Sequence, residues 1–349
     1  MRRENIYKAL VCTSAVIGFF LLVEMFCRMS GLSGFVDADY KFYINKIDND
    51  LELDFIMEDA LLMWRLRPGY RGDYIKINSM GLRDKEYSLK KGKDVFRILC
   101  LGDSSTFGMW VPQSHTYHAM LEDKLYDERG SRGLKYEVIN MGVPGYSSLQ
   151  ALNCFRYRGF KYDPDIVVLY IGINDTARRF HLSDKDVMAD DKPIIYRKIS
   201  NSLSMHSSFY RVMRKIILSF IDKDDNKKDA PVNRVSLHDL LDNISALNAL
   251  CGKRKIPLIL VLPPICENKG PVRDLMRARN IYLYREKIKE FCQDKEMPLM
   301  LLEGMLGKDS ESFSPSFFVD PVHPNRKGHA VIMRELYEYL TDNKLVGDY

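Results

Sequence analysis

The sequence predicts an α/β fold, a parallel central sheet with helices on both faces. Two observations carry this expectation. From residue 95 onward, short apolar runs alternate with longer amphipathic ones, and each short run is nearly continuous in apolar side chains, as a strand covered on both faces must be. The length of 349 residues allows one large domain with additions or two modest ones, and a composition of 46% hydrophobic and 28% charged residues suits a chain that buries a core.

The elements follow in order. Residues 95–101 form the first strand, apolar except for Arg97, and residues 116–128 the first helix, with Met120, Leu121 and Leu125 at helical spacing. Strand 136–141, helix 149–157 and strand 166–171, introduced by "DPD", come next. Later, helix 237–250, strand 257–262, helix 282–292 and strand 298–302 lead to a strongly amphipathic closing helix at 325–340. Residues 177–233 interrupt this rhythm and are too long for a simple connection. They hold "SSFYRVMRKIILSF", an amphipathic helix by pattern, and "IDKDDNKKDAP", a charge run that reads as solvated. A lid, a surface elaboration and a membrane-facing basic helix all fit such an insertion.

Ahead of the alternating region, residues 31–94 have a mixed composition that suits short strands or an extended arm, ending in the charged connector "KKGKD". Residues 1–30 differ again. Residues 9–23 carry no charge, and apolar character resumes after Glu24 with Met25, Phe26 and Cys27, close to the about 20 residues needed to span a bilayer. Arg2, Arg3 and Lys8 precede this run, so the positive-inside rule keeps the N-terminus cytoplasmic and places the remainder in the periplasm or outside the cell. No small-x-small site follows, which favours an uncleaved signal anchor over a cleaved signal peptide. Glu24 must then lie near the interface, beside Arg28, because a carboxylate in lipid is costly.

The formal charge of +5 comes from 52 basic and 47 acidic residues mixed along the chain, so nucleic acid is not an implied partner. The seven cysteines show no CxxC pair and no metal-ligand spacing; Cys12 and Cys27 fall in the apolar segment, and Cys100 reads as a small core residue. No Gly-rich phosphate loop is present. His115 and His118 read as helix-surface residues, His181, His206 and His238 stand alone, and His329 reads as packing or surface, so no metal is expected.

The C-terminal ends of parallel strands gather along one edge, where α/β proteins place their sites. After the first three strands stand "GDSS" (102–105), "NMGVPGYSS" (140–148) and "GIND" (172–175), and before the last helix stands "VDPVHPN" (319–325). These supply acyl-ester chemistry: a serine hydroxyl, His323 as its base, and Asp320 to hold the imidazole in one tautomer. The Asn174 amide and a closely approaching glycine backbone such as Gly145 can meet a developing oxyanion. Asp103 reads as ordering the turn.

Taken together, Gly102-Asp103-Ser104, a glycine after strand two, Gly172-x-Asn174-Asp175 and Asp320-x-x-His323 resemble the SGNH (GDSL) hydrolase family over residues 95–349. That resemblance implies a flavodoxin-like three-layer sandwich. It also implies Ser104, not Ser105, as nucleophile, a Ser104–His323–Asp320 triad, and an oxyanion hole from the Ser104 and Gly145 amides and the Asn174 side chain. Gly145 is preferred to Gly142 because the family's glycine tends to lie five positions after an asparagine such as Asn140. "GDSS" departs from the commoner "GDSL" only beside the nucleophile.

The expected protein is a membrane-anchored serine hydrolase of acyl esters, acetyl or short-chain, on an acylated glycan or lipid, working without metal or cofactor. The main alternative is an O-acetyltransferase or deacetylase of a cell-surface polysaccharide. A non-catalytic carbohydrate-binding or assembly protein ranks below both, since no triad position is missing.

Overall fold

The computed structural model describes residues 2–30, 54–59, 61–129, 133–179, 183–188, 206–221, 232–270, 275–307 and 313–346, together with residues 195, 199, 202 and 203. In chain order the elements are α1 (Arg2–Met29), β1 (Ile56–Asp59), β2 (Met63–Leu66), β3 (Val95–Gly102), α2 (Ser104–Phe107), α3 (Tyr117–Arg129) and β4 (Lys135–Gly142). Then come α4 (Ser148–Tyr157), β5 (Ile166–Tyr170), β6 (Arg178–Arg179), α5 (Asp184–Met188), α6 (Ser208–Ile221) and β7 (Val232–Asn233). The chain closes through α7 (Leu237–Gly252), β8 (Leu258–Leu262), α8 (Leu275–Asp294), β9 (Leu299–Leu301) and α9 (Arg326–Asp342). Two compact units result, Met1–Arg65 with Asp191–Lys228, and Leu66–Asp190 with Asp229–Tyr349.

The larger unit is the α/β fold. Its five strands lie in the order β4-β3-β5-β8-β9, every pairing parallel. Because successive side chains on a strand point to opposite faces, Phe96, Ile98 and Cys100 of β3 look one way and Arg97, Leu99 and Leu101 the other. The first set packs with Tyr117, Leu121 and Leu125 of α3 and Ile332, Leu336 and Leu340 of α9 in one apolar cluster. Each such side chain, taken from water into this cluster, contributes about 1.5–3 kcal/mol. The opposite face is covered by α4 and α7, which pack on each other.

Arg97, the one charge in the first strand, is buried because it is fully engaged. It donates to Glu137 Oε2 (2.8 Å) and to the carbonyls of Tyr162 (2.7 Å) and Ser88 (2.5 Å). Strand and helix limits follow the apolar pattern closely, with α8 the exception. It begins two turns before the expected residue 282, in "LMRARN", where no apolar period marks a helix.

Residues 66–94, expected as part of an arm, belong to this unit. The ends of the long insertion meet as a two-residue antiparallel ladder, Arg178 opposite Asn233 and Arg179 opposite Val232. His181 and the charge run at 222–231 lie outside the described residues.

In the smaller unit, α1 contains a segment, Leu10–Met29, long and apolar enough to cross a membrane. Its apolar side chains, among them Leu10, Phe19, Leu21 and Leu22, are exposed. Glu24, the acid that interrupts this segment, receives the N-terminus of α6. Ser208 N donates to Oε1 (2.8 Å), and Phe209 N and Ser207 Oγ donate to Oε2 (2.9 Å each). Arg28 adds a 2.8 Å ion pair, and Phe20 meets Phe209 edge to face at 6.0 Å. The first N–H groups of a helix have no partner within it and attract a carboxylate, so Glu24 works as a cap supplied from another helix.

Candidate active site

The strand order 4-3-5-8-9 reverses direction at β3, which has β4 on one side and β5 on the other. In open parallel sheets the crevice beyond the strand ends at such a reversal is where ligands bind. Gly102 is in register with both Gly142 and Tyr170, so the three strands end level there.

From β3 the chain enters the single turn of α2. Asp103 caps it, its Oδ1 accepting from Ser105 N at 2.9 Å. The two serines of "GDSS" now differ. Ser105 is 3% exposed, its hydroxyl turned toward the Val322 carbonyl, whereas Ser104, at the first helical position, is partly open. The turn rests directly on the end of β4: a Cβ at Gly142 would lie 2.3 Å from Phe107 N, so only glycine permits this approach. At its other end, Arg83 donates to the carbonyls of Phe107 (3.0 Å), Gly108 (2.6 Å) and Val111 (2.8 Å). A cation at the C-terminal carbonyls of a helix is the favourable placement. Burial pulls the Arg83 guanidinium down to about 10.

The Ser104 hydroxyl donates to His323 Nε2 at 2.8 Å, across 219 residues of sequence. On the other side of the ring, Nδ1 lies 2.6 Å from Asp320 Oδ2. A carboxylate can only accept, so the Nδ1 hydrogen belongs in that bond and Nε2 is left to accept from serine. Burial works to raise the Asp320 carboxyl, but the bonds from His323 and the Val322 and His323 amides (2.9 and 2.8 Å) outweigh it and hold it below its ordinary value. The turn that carries both residues is fixed to its neighbours. Cys266 N donates to Pro321 O (2.8 Å), and Asn325 caps α9 by accepting from Lys327 N and Gly328 N.

Asn174 follows β5 and reaches the same place. Its amide donates to Asp103 Oδ2 (3.1 Å) and to the Tyr146 carbonyl (3.2 Å). Burial pushes Asp103 up to about 6, against the bond from Ser105. Gly145 sits after β4 in a four-residue turn closed by Tyr146 N donating to Val143 O (3.2 Å), with Pro144 second and Gly145 third at φ 78°. That is a type II turn, in which the third position needs glycine. Gly172, at φ 124°, turns the chain out of β5. Asp175 is buried, pushed up to about 6, and accepts from Ser148 N (3.0 Å) and Oγ (2.5 Å), fixing the start of α4.

The residues singled out from sequence thus lie together, with one correction among the rest. His118 is not on the helix surface: it is 1% exposed, bonded through Nε2 to Thr116 Oγ1 (3.0 Å), because the face of α3 that carries it turns inward. Burial also holds it neutral, well below its ordinary range. His329 is buried, accepting from Tyr117 N (3.1 Å) and stacked on that ring. His238 is exposed near Asp239 and Asp242, and Asp239 is already bound by Lys185 at 2.9 Å. All cysteines are free thiols, Cys100 fully buried. Arg83 and Arg234, both buried against this site, carry no local sequence signature.

A sequence model of the GDSL-like lipase/acylhydrolase family matches residues 100–331, two thirds of the chain and all four strand-edge segments. The chain belongs to the GDSL-like lipase/acylhydrolase family. It is an ester hydrolase by that membership. Solved structures with a similar trace include Axe2, an acetylxylan esterase from Geobacillus stearothermophilus (18% identity, 72% of this chain and 95% of that one, TM-score 0.45). A GDSL-like lipase from Bacteroides thetaiotaomicron (15%, 71% and 88%, 0.42) and the α/β hydrolase LAE5 from the metagenome of Lake Arreo (18%, 72% and 97%, 0.45) are also similar. A search of curated proteins found no match.

Proposed function

We propose that this GDSL hydrolase cleaves acyl esters by double displacement through an acyl-Ser104 intermediate. His323 takes the Ser104 proton as the hydroxyl attacks the ester carbonyl, and Asp320 stabilises the imidazolium so formed. The tetrahedral oxygen is met by the Ser104 and Gly145 amides and by Asn174, which exchanges its longer bond, to the Tyr146 carbonyl, for the oxyanion. His323 returns the proton to the departing alcohol, and a water or an acceptor hydroxyl then releases the acyl group by the same steps in reverse. The observation that carries this reading is the unbroken chain of contacts from Ser104 Oγ through both nitrogens of His323 to Asp320. To test it, the full-length chain in detergent is assayed on p-nitrophenyl esters of increasing acyl length, acetate first, with Ser104→Ala as control. Turnover lost in the variant is expected; no turnover of any ester, or turnover indifferent to the substitution, overturns the reading.

The second half of the proposal is anchoring. Residues 1–30 act as a single-pass anchor with the N-terminus cytoplasmic and the hydrolase unit on the far side, supported by the exposed apolar surface of α1 and by Arg2, Arg3 and Lys8 ahead of it. We assign α6 to the same bilayer, lying in the interface. Met213, Ile216 and Ile217 are exposed on one of its sides, and its start is tied to α1 through Glu24. With 14 residues it is about 21 Å long, too short to span, and the chain on either side of the insertion belongs to one folded unit. A reporter fused after Tyr349 is expected to work only outside the cytoplasm; activity in the cytoplasm overturns the orientation.

A further inference from the structure

Gly145 presents a mechanical problem. Glycine is the residue whose backbone is least constrained, yet the direction of its N–H decides where an oxyanion is held. The Pro144-Gly145 turn fixes it from within. A second restraint comes from outside, through the carbonyl of the same residue.

Arg234, the residue that follows β7, is 0% exposed. Its Nη1 donates to Gly145 O at 2.6 Å. Nη2 donates to Gln150 Oε1 (2.6 Å) and to Asp184 Oδ2 (2.7 Å), and Nε to Asp184 Oδ1 (2.9 Å). Asp184 is itself 0% exposed and is held by Ser147 Oγ (2.7 Å) and, through its own N–H, by the Arg234 carbonyl (2.6 Å). The pair is therefore a planar fork meeting a carboxylate side on, an arrangement only arginine can make. Gln150 also accepts from Ser147 N (3.1 Å), so the clamp reaches from the Gly145 carbonyl to the first turn of α4. Its two charged members come from opposite ends of the insertion, one on each side of the β6–β7 ladder.

We propose that Arg234 is a positioning residue for the oxyanion hole, acting through the Gly145 carbonyl, with Asp184 holding it in place. The assignment rests on the reading of Gly145 as an oxyanion donor. Charge appears on the oxygen only as the carbonyl is attacked, so a displaced donor lowers kcat and leaves ground-state binding alone. Loss of a whole donor reduces kcat by about 100- to 1,000-fold, and a small misplacement by less.

The test is made on the full-length chain in detergent with a short-chain p-nitrophenyl ester. Arg234→Lys keeps a positive charge beside Asp184 but cannot reach Asp184, Gln150 and Gly145 O together. Asp184→Asn, which keeps the shape and frees the arginine, replaces it should the lysine variant not fold. Per mole of folded protein, kcat is expected to fall about 10- to 100-fold with KM within about twofold. The rate of Ser104 phosphonylation by an organophosphonate should fall in parallel, since that adduct also places oxygen in the hole. Variants with wild-type kcat and only a lower melting temperature overturn the positioning role while leaving the hydrolase reading intact. A wild-type chain that turns over no ester overturns the reading beneath it.

Discussion

The two units of this chain solve opposite problems with the same kinds of side chain. In the α/β unit, charged groups go inside and are held by several partners: Arg97, Arg83 and Arg234 are each buried and each bound to several acceptors. In helix α1 of the smaller unit, apolar groups stay outside, and the acid that would be out of place among them is occupied by the start of a second helix. Burial alone therefore does not mark function here. What marks it is burial of polar groups in pairs and chains that lead to one partly exposed hydroxyl, Ser104, whereas exposure of apolar groups marks the surface suited to lipid.

Substitutions can separate the two units. The largest effect is expected from Ser104→Ala, a fall in kcat of about 10,000-fold or more with membrane association unchanged, read by ester turnover and by the protein's distribution between membrane and soluble fractions. Next, Asn174→Ala should lower kcat about 100- to 1,000-fold, or about 2.7–4 kcal/mol of transition-state stabilisation, with a smaller change in KM. A change below fivefold would remove Asn174 from the oxyanion hole.

The third effect is on stability against pH. Folding raises Asp175 from 3.8 to about 6, so between those values the folded chain holds a proton that the unfolded chain has released. This group's contribution to stability therefore falls as pH rises from about 4 to 6. Asp175→Asn lacks the slope, so relative to wild type it should gain roughly 2–3 kcal/mol across that window in urea titrations. Parallel curves for the two proteins would show the carboxyl to be ionised throughout. The smallest effect concerns the smaller unit. Glu24→Ala removes the cap of α6, about 0.5–2 kcal/mol, and should speed proteolysis within α6 several-fold in liposomes while ester kcat stays at the wild-type value.

The strands were legible because a strand covered on both faces must be apolar nearly throughout, as β5 and β8 are and as β3 is apart from Arg97. Three polar clusters at strand ends and a fourth before the last helix were legible because a turn accounts for each alone but not for all four together. Arg83 and Arg234 were not. Each acts on backbone carbonyls far away in sequence, at α2 and Gly145, and a carbonyl leaves no trace in residue identity. His118 departs from its expected surface place because it sits next to Tyr117 at the start of the inward face of α3, where an imidazole is not marked as apolar by sequence. Glu24 looked like a flaw in an apolar run, since its partner, the start of α6, lies more than 180 residues away. The turn at "VPGY" did have a readable signal, proline followed by glycine at the two central positions of a type II turn.

The two-residue ladder of β6 and β7 brings the ends of the insertion side by side. A closed loop of this kind is insensitive to its own length, since doubling it costs only about 0.6 kcal/mol of closure entropy. Helix α6 and its flanking segments could therefore have been acquired, lengthened or exchanged without shifting the register of β5 against β8. The ladder is in effect a socket, into which different segments fit while the strands that carry the site stay in register.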